Sequence, residues 1–254
     1  LLGQSPAIQH LRQTIQKIAR SQAPVFIHGE SGTGKEVVAN LVHSLSNRSH
    51  GPFIAINCGA IPSELMESEL FGHKKGSFTG ANQDKQGLIQ AAHGGSLFLD
   101  ELAELPLTMQ VKLLRAVQEK RIRPIGSDSE IEVDFRIISA THQNLEQLVQ
   151  QGKFRQDLFF RIHVMDIQLP PLRERGDDIL LLARHFIKKI SQEWQTVVVV
   201  VPVVIKFSGE AGVNTVLSLG FDFNQAEMYF DGELELTIPK LTLSAGVGVA
   251  YIAD

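Results

Sequence analysis

Gly29-Glu30-Ser31-Gly32-Thr33-Gly34-Lys35 follows the apolar run Val25-Phe26-Ile27, with His28 between them. A buried strand running into a turn with little side-chain bulk can bring backbone N–H groups against a polyphosphate. The helix expected from Lys35 to Leu45 points its positive dipole end at the same anion. Lys35 would then reach the terminal phosphates as a point charge. The next residue is Glu36, where a phosphate loop usually has the Ser or Thr whose hydroxyl ligates magnesium. An ordinary glycine-rich strand–helix turn has the same spacing, so this stretch alone leaves both readings open.

A second run, Ser96-Leu97-Phe98-Leu99-Asp100-Glu101, ends in two acids. Carboxylates at the C-terminal end of a buried parallel strand lie at the crevice where such sheets bind ligands. Asp100 would hold magnesium, and Glu101 would orient and polarise an attacking water, as phosphoryl transfer requires. The competing reading is that both acids cap a helix near Leu107. A phosphate loop upstream favours the catalytic one.

Composition narrows the class. A chain of 254 residues can hold one large domain, or one plus a small one. Its formal charge of −4, from 24 bases and 28 acids, gives no electrostatic case for nucleic-acid binding by the whole chain. Cys58 is the single cysteine, so no internal disulfide is possible and a reducing, cytoplasmic setting fits. No signal peptide opens these residues. The most apolar run, Val197 to Ile205, is broken by Pro202 and falls short of the ~20 residues that span a bilayer.

The pattern changes along the chain. Strand-like runs at Val25 to His28, Phe53 to Asn57, Leu97 to Asp100, Phe135 to Ser139 and Val164 to Leu169 alternate with helical patterns. Those helices are expected at Ile8 to Ala19, Lys35 to Leu45, Leu107 to Gln118, Asn144 to Gln150 and Asp178 to Ile190. Such alternation argues for an α/β fold with a parallel sheet covered by helices. From Thr196 onward the only bases are Lys206 and Lys240 and the period becomes two, as in the run Leu241 to Tyr251 and in Leu234, Leu236 and Ile238. Asp231-Gly232 reads as a hairpin turn. A boundary is therefore expected near Gln195, with residues 1–195 as one domain and 196–254 as a small antiparallel β-rich segment that contributes no catalytic group.

Glu69-Leu70-Phe71-Gly72-His73 leads into Gly76-Ser77-Phe78-Thr79-Gly80-Ala81. With these segments in place, residues 1 to about 193 closely resemble the central AAA+ ATPase domain of bacterial sigma-54-dependent transcription activators. The resemblance implies an AAA+ P-loop NTPase fold, ATP and Mg2+ as cofactors, a homo-oligomeric ring, and sigma-54 RNA polymerase holoenzyme as partner. Its signature is the GAFTGA loop, here with Ser77 in place of alanine. Gly76 and Gly80 permit sharp reversals, and Phe78 at an exposed tip would mark a partner surface; the competing expectation folds Phe78 back on the body. Glutamate after the loop lysine is common in the family, so Glu36 fits it.

Other positions match the family individually. Asn57 resembles the residue that holds the Walker B glutamate, here Glu101, and releases it with nucleotide state. Thr141 falls at the sensor I position, with His142 beside it, read equally well as a strand-end surface histidine. Phe154-Arg155-Gln156-Asp157-Leu158-Phe159-Phe160-Arg161 resembles the segment that supplies arginines across a subunit interface. Arg155 and Arg161 are both candidates, with surface salt bridges as the alternative. Leu169-Pro170-Pro171-Leu172-Arg173-Glu174-Arg175 matches the family's link out of the last core strand.

The resemblance stops at Thr196, where the family continues into a helical lid with a sensor II arginine. No such stretch occurs in residues 196–254, nor does a helix-turn-helix, so no DNA-binding domain is expected in this chain. The rival reading is a nucleotide-binding module without efficient turnover, joined to a β-rich interaction or oligomerisation segment.

Overall fold

The computed structural model describes residues 1–193, 203–207, 213–222, 227–236 and 244–247, with side chains to residue 190. Helices are α1 (Pro6–Ala19), α2 (Lys35–Ser44), α3 (Ser63–Phe71), α4 (Leu88–Ala91), α5 (Leu107–Glu119), α6 (Leu145–Gln150), α7 (Gln156–Ile162) and α8 (Asp178–Glu193). Strands are β1 (Val25–His28), β2 (Phe53–Asn57), β3 (Gly72–His73), β4 (Lys85–Gln86), β5 (Ser96–Asp100), β6 (Arg121–Ile122), β7 (Ile131–Glu132), β8 (Arg136–Thr141) and β9 (Met165–Gln168). Beyond them lie β10 (Val203–Phe207), β11 (Val213–Asp222), β12 (Glu227–Leu236) and β13 (Ser244–Val247). The chain divides into two compact units, Leu1–Asp178 and Ile179–Asp254.

In the first unit a five-stranded sheet runs in the order β2-β5-β8-β1-β9, with every neighbouring pair parallel. Side chains alternate across each strand, and both faces are buried, as a parallel sheet demands. Leu97, Leu99, Ile137 and Phe26 join the cluster under α3, α5 and α7. Phe98, Ile138, Val25 and Ile27 join the opposite cluster with Ile8, Leu11 and Ile15 of α1 and Val38, Ala39 and Val42 of α2. α1 begins at Ser5, whose side chain accepts from the Ile8 N–H, with Pro6 opening the helix.

Register decides where polar ends meet. His28 pairs with Thr141 and with Gln168, and Asn57 pairs with Asp100. All five close the same C-terminal edge of the sheet.

At the other edge, Arg136 opens β8 and is 2% exposed. Its guanidinium donates to the carbonyls of Ala19 at 2.9 Å, Ile18 at 3.0 Å and Ala23 at 3.2 Å, which closes the C-terminus of α1. Burial, followed by the nearby Arg48 charge, pushes it down to about 10, so it stays charged at neutral pH. Arg136→Met should therefore cost about 3 kcal/mol or more, because charged hydrogen bonds are lost and buried carbonyls left unpaired. A urea midpoint equal to wild type would contradict this role.

Sequence-derived element bounds shift by up to three residues, the largest at the end of α8, which reaches Glu193 where Ile190 was expected. β8 covers Arg136–Thr141 where Phe135 to Ser139 was expected, and β5 starts at Ser96. The helices α3, α4 and α7 and the pairs β3–β4 and β6–β7 had no periodic signal long enough to announce them. Among the described residues no helix is long and apolar enough to cross a membrane.

In the second unit, β12-β11-β10-β13 form an antiparallel sheet. The expected hairpin at Asp231-Gly232 is overturned. β12 runs straight through both residues, Asp231 pairing with Ser218 and Gly232 with Leu217. Ten consecutive pairs with β11 outweigh the turn preference of one dipeptide. Of the alternating run Leu241 to Tyr251, β13 covers Ser244–Val247, and residues 241–243 and 248–251 lie outside the described residues, as does Ile238.

Candidate active site

The glycine-rich turn leaves β1 and enters α2 as its sequence requires. Gly32 and Gly34 take φ of 77° and 95°, the left-handed region that side chains avoid. A Cβ built on either would meet no heavy atom within 4 Å, so the loop backbone faces open space. Gly29 differs, since a Cβ there would come to 3.0 Å from Leu169 Cβ and from Thr33 Oγ1. Thr33 Oγ1 donates to the Glu30 carbonyl at 2.7 Å. Ser31 is exposed at the turn, and Glu36 is an exposed acid in the first turn of α2, where it complements the helix dipole.

Lys35 is 6% exposed, and its Nζ lies 3.3 Å from the Gly29 carbonyl, 3.5 Å from that of Glu30 and 3.5 Å from Glu101 Oε1. A buried ammonium facing two loop carbonyls and one carboxylate is suited to turn toward a phosphate. Glycines with open space before them, a helix N-terminus and this lysine together fit a nucleotide polyphosphate.

Asp100 ends β5 and Glu101 follows it, with β8 lying between β5 and β1. Glu101 is one of two non-glycine residues with positive φ among those described (φ 49°, ψ 48°). Strained backbone of this kind concentrates at functional sites. Its Oε2 accepts from His142 Nδ1 at 2.8 Å and from Thr141 Oγ1 at 3.4 Å. Burial pushes the Glu101 carboxyl up, but the His142 hydrogen bond and the Lys35 charge outweigh it and hold the group below the ordinary carboxylate range. Asp100 shifts the other way, because burial outweighs the hydrogen bond from the Glu101 N–H at 3.0 Å. Two adjacent carboxyls driven apart by their surroundings suit two different tasks. Cys58, behind them, is inert: burial first, then the Asp100 and Glu101 charges, push its thiol up to about 12.

Asn57 is engaged in a local turn. It adjoins Asp100 in register, but its Oδ1 accepts from the Gly59 N–H at 2.9 Å and so caps the turn Cys58–Ala60. The contact to Glu101 is made by His142 instead, a residue whose sequence position read equally well as surface. Thr141 is fully buried at the end of β8, within reach of Glu101.

Beside the loop opens a cleft of about 690 Å³ lined by His10, Leu11, Thr14, Glu30, Pro170 and Arg173, among others. Arg155 is the N-cap of α7 and Arg161 lies in its last turn, both exposed. Arg155 forks onto Asp157 at 3.0 and 2.6 Å, the salt-bridged alternative, whereas Arg161 lines a separate cleft with Phe160 and Val164.

The loop Gly76 to Ala81 closes on itself through a Gly76 N–H bond to the Ala81 carbonyl at 2.8 Å, with φ of 79° at Gly76 and 103° at Gly80. Phe78 is 40% exposed, with its ring centroid 5.0 Å from that of His73 in an edge-to-face arrangement, so it is folded partly onto the body and partly offered to solvent. Ser77 Oγ is buried without a hydrogen-bond partner, and Thr79 is exposed at the tip.

Residues 1–168 match the sigma-54 interaction domain. The response regulator protein PilR of Pseudomonas aeruginosa is 61% identical over 191 residues, which cover 75% of this chain and 43% of that protein. The DNA-binding transcriptional regulator NtrC of Escherichia coli K12 is 52% identical over 193 residues, or 76% of this chain and 41% of that one. The chain thus spans less than half the length of these relatives. The crystal structure of NtrX from Brucella abortus overlays with a TM-score of 0.72 at 41% identity, covering 76% of this chain and 43% of NtrX. A structure of NtrX in complex with ATP overlays with a TM-score of 0.71. With an AAA+ P-loop NTPase fold and this match across residues 1–168, well over half of its length, the chain belongs to the sigma-54 interaction domain family of sigma-54-dependent transcription activators.

Proposed function

We propose that this chain is a Mg2+-dependent ATPase motor module that remodels sigma-54 RNA polymerase holoenzyme from within a ring of its own copies. The observation that carries the reading is the 3.5 Å approach of Lys35 to Glu101 at the sheet edge, beside Asp100. Residues 29–36 would hold the nucleotide, Lys35 its terminal phosphates, and Asp100 the magnesium. Bound Mg-ATP supplies the transferable phosphoryl group and neutralises part of its charge. Glu101, ionised and aimed by His142 and Thr141, would orient water and accept its proton. Asn57 would take over Glu101 in another nucleotide state.

Arg155 or Arg161 would enter the neighbouring subunit's site, where a guanidinium forks onto phosphate oxygens. Arg161 is supported by its exposure and Arg155 by the ease of exchanging a surface Asp157 partner. Gly76, Ser77, Phe78, Thr79, Gly80 and Ala81 would present the sigma-54 contact, which sets the chain in the cytoplasm and leaves DNA contact to the polymerase. Residues 1–195 form the motor in this reading, and 196–254 supply no catalytic group.

Thr79→Ala tests the pairing of site and loop. ATP turnover should stay within about twofold of wild type, since the loop adds nothing to the phosphate site, while binding to sigma-54 is lost. Equal loss of both activities would contradict a separable contact loop. A second reading, nucleotide binding without turnover, is favoured by the antiparallel sheet β12-β11-β10-β13, found in the part of the sequence where the family has its helical lid. It requires bound nucleotide with no hydrolysis at any protein concentration.

A further inference from the structure

The link after β9 plays no part in the chemistry above, yet it is bonded to the phosphate loop at two points. It forms the turn Leu172–Glu174 and brings two arginines back to the loop. Arg173 donates to Glu30 Oε2 at 2.8 Å and Oε1 at 2.7 Å. Arg175 is 4% exposed and donates to the Thr33 carbonyl at 2.7 Å, and to that of Pro170 at 2.9 and 3.1 Å.

The second contact has a consequence for the anion site. In a trans peptide the carbonyl of one residue and the N–H of the next point in opposite directions. Drawing the Thr33 carbonyl onto a buried guanidinium therefore turns the Gly34 N–H the other way. Gly34 itself sits in the left-handed region at φ 95°, and a Cβ built on it would meet nothing beyond its chain neighbours within 4 Å, so the backbone there has open space beside it. Glu30, gripped by Arg173, is tied to Thr33 by the bond from Thr33 Oγ1 to the Glu30 carbonyl.

We propose that Pro170 to Arg175 is a strap that sets the geometry of the phosphate loop, with Arg175 as its positioning residue and Arg173 as a surface clasp. The proposal rests on the reading of residues 29–36 as a nucleotide phosphate site. Arginine is required because a planar fork bridges two carbonyls, whereas a lysine offers a point donor on a flexible stem.

Arg136 provides a matched control, being equally buried and bonded to three carbonyls at the far edge of the sheet. Two readouts are taken on the full chain: affinity for a fluorescent ADP analogue with Mg2+, and amide hydrogen exchange of residues 30–36 without nucleotide. Arg175→Lys should weaken the analogue by about tenfold or more and speed exchange in the loop, as expected when a charged hydrogen bond that orients the site is lost. Arg136→Lys should lower Tm comparably and change neither readout. The exposed clasp variant Arg173→Gln should fold and speed exchange at Glu30 and Thr33.

Unchanged exchange and affinity in folded Arg175→Lys would overturn the strap, as would an equal effect of Arg136→Lys. Should Arg175→Lys fail to fold, unchanged loop exchange in Arg173→Gln overturns it alone. A wild-type chain that binds no nucleotide would instead overturn the phosphate-site reading, and the strap then stands or falls on the exchange data.

Discussion

Lys35→Ala is expected to lower ATP turnover by at least about 100-fold, the cost of removing one donor aimed at transition-state charge. The reason lies in its position. Lys35 is almost fully buried, at the first residue of α2, facing two loop carbonyls and Glu101. Alanine is the best helix former, so α2 should persist, and the fold should remain native by circular dichroism. The loss then falls on the site. Nucleotide affinity should drop as well, because a charge-assisted contact to phosphate has no substitute in the loop. Phosphate release at wild-type rate by this variant would remove Lys35 from the site.

Glu101→Gln separates binding from chemistry. The amide keeps the shape and can still bond to His142, but it cannot take a proton. Turnover should fall by about 10²- to 10⁴-fold, the range for loss of a positioned general base. Nucleotide affinity should hold or rise, since one negative charge near the phosphates is removed. The backbone at φ 49° is inherited unchanged, so stability should not be the cause. Because the Glu101 carboxyl is held low, the base form persists as pH falls through the ordinary carboxylate range, and the acid limb of the rate profile should lie below it. Loss of nucleotide binding with turnover per bound nucleotide intact would assign Glu101 to binding and not to catalysis.

The residues that announced this site did so through strand ends. Val25 to Ile27 and Leu97 to Leu99 are apolar runs, the first ending at His28-Gly29 and the second at an acid, and a parallel sheet places all such stops on one edge. What the runs could not announce was their order. β1 lies between β8 and β9, with β8 separating it from β5, and those pairings join residues far apart in sequence. The His142 bond to Glu101 depends on that order, since it needs the ends of β5 and β8 side by side. The link's sequence carried no sign that Arg175 is buried, because that burial follows from how the chain returns to the phosphate loop. Asp231-Gly232 shows the reverse failure, a local turn signal overruled by a long strand register.

Steady-state ATP hydrolysis measured against protein concentration, in excess Mg-ATP, tests the central claim that this edge of the sheet is a catalytic site completed by a neighbour's arginine. Turnover should rise faster than linearly as subunits assemble, and vanish in Glu101→Gln across the same range. Bound nucleotide with no hydrolysis at any concentration, or hydrolysis undiminished in Glu101→Gln, would contradict it.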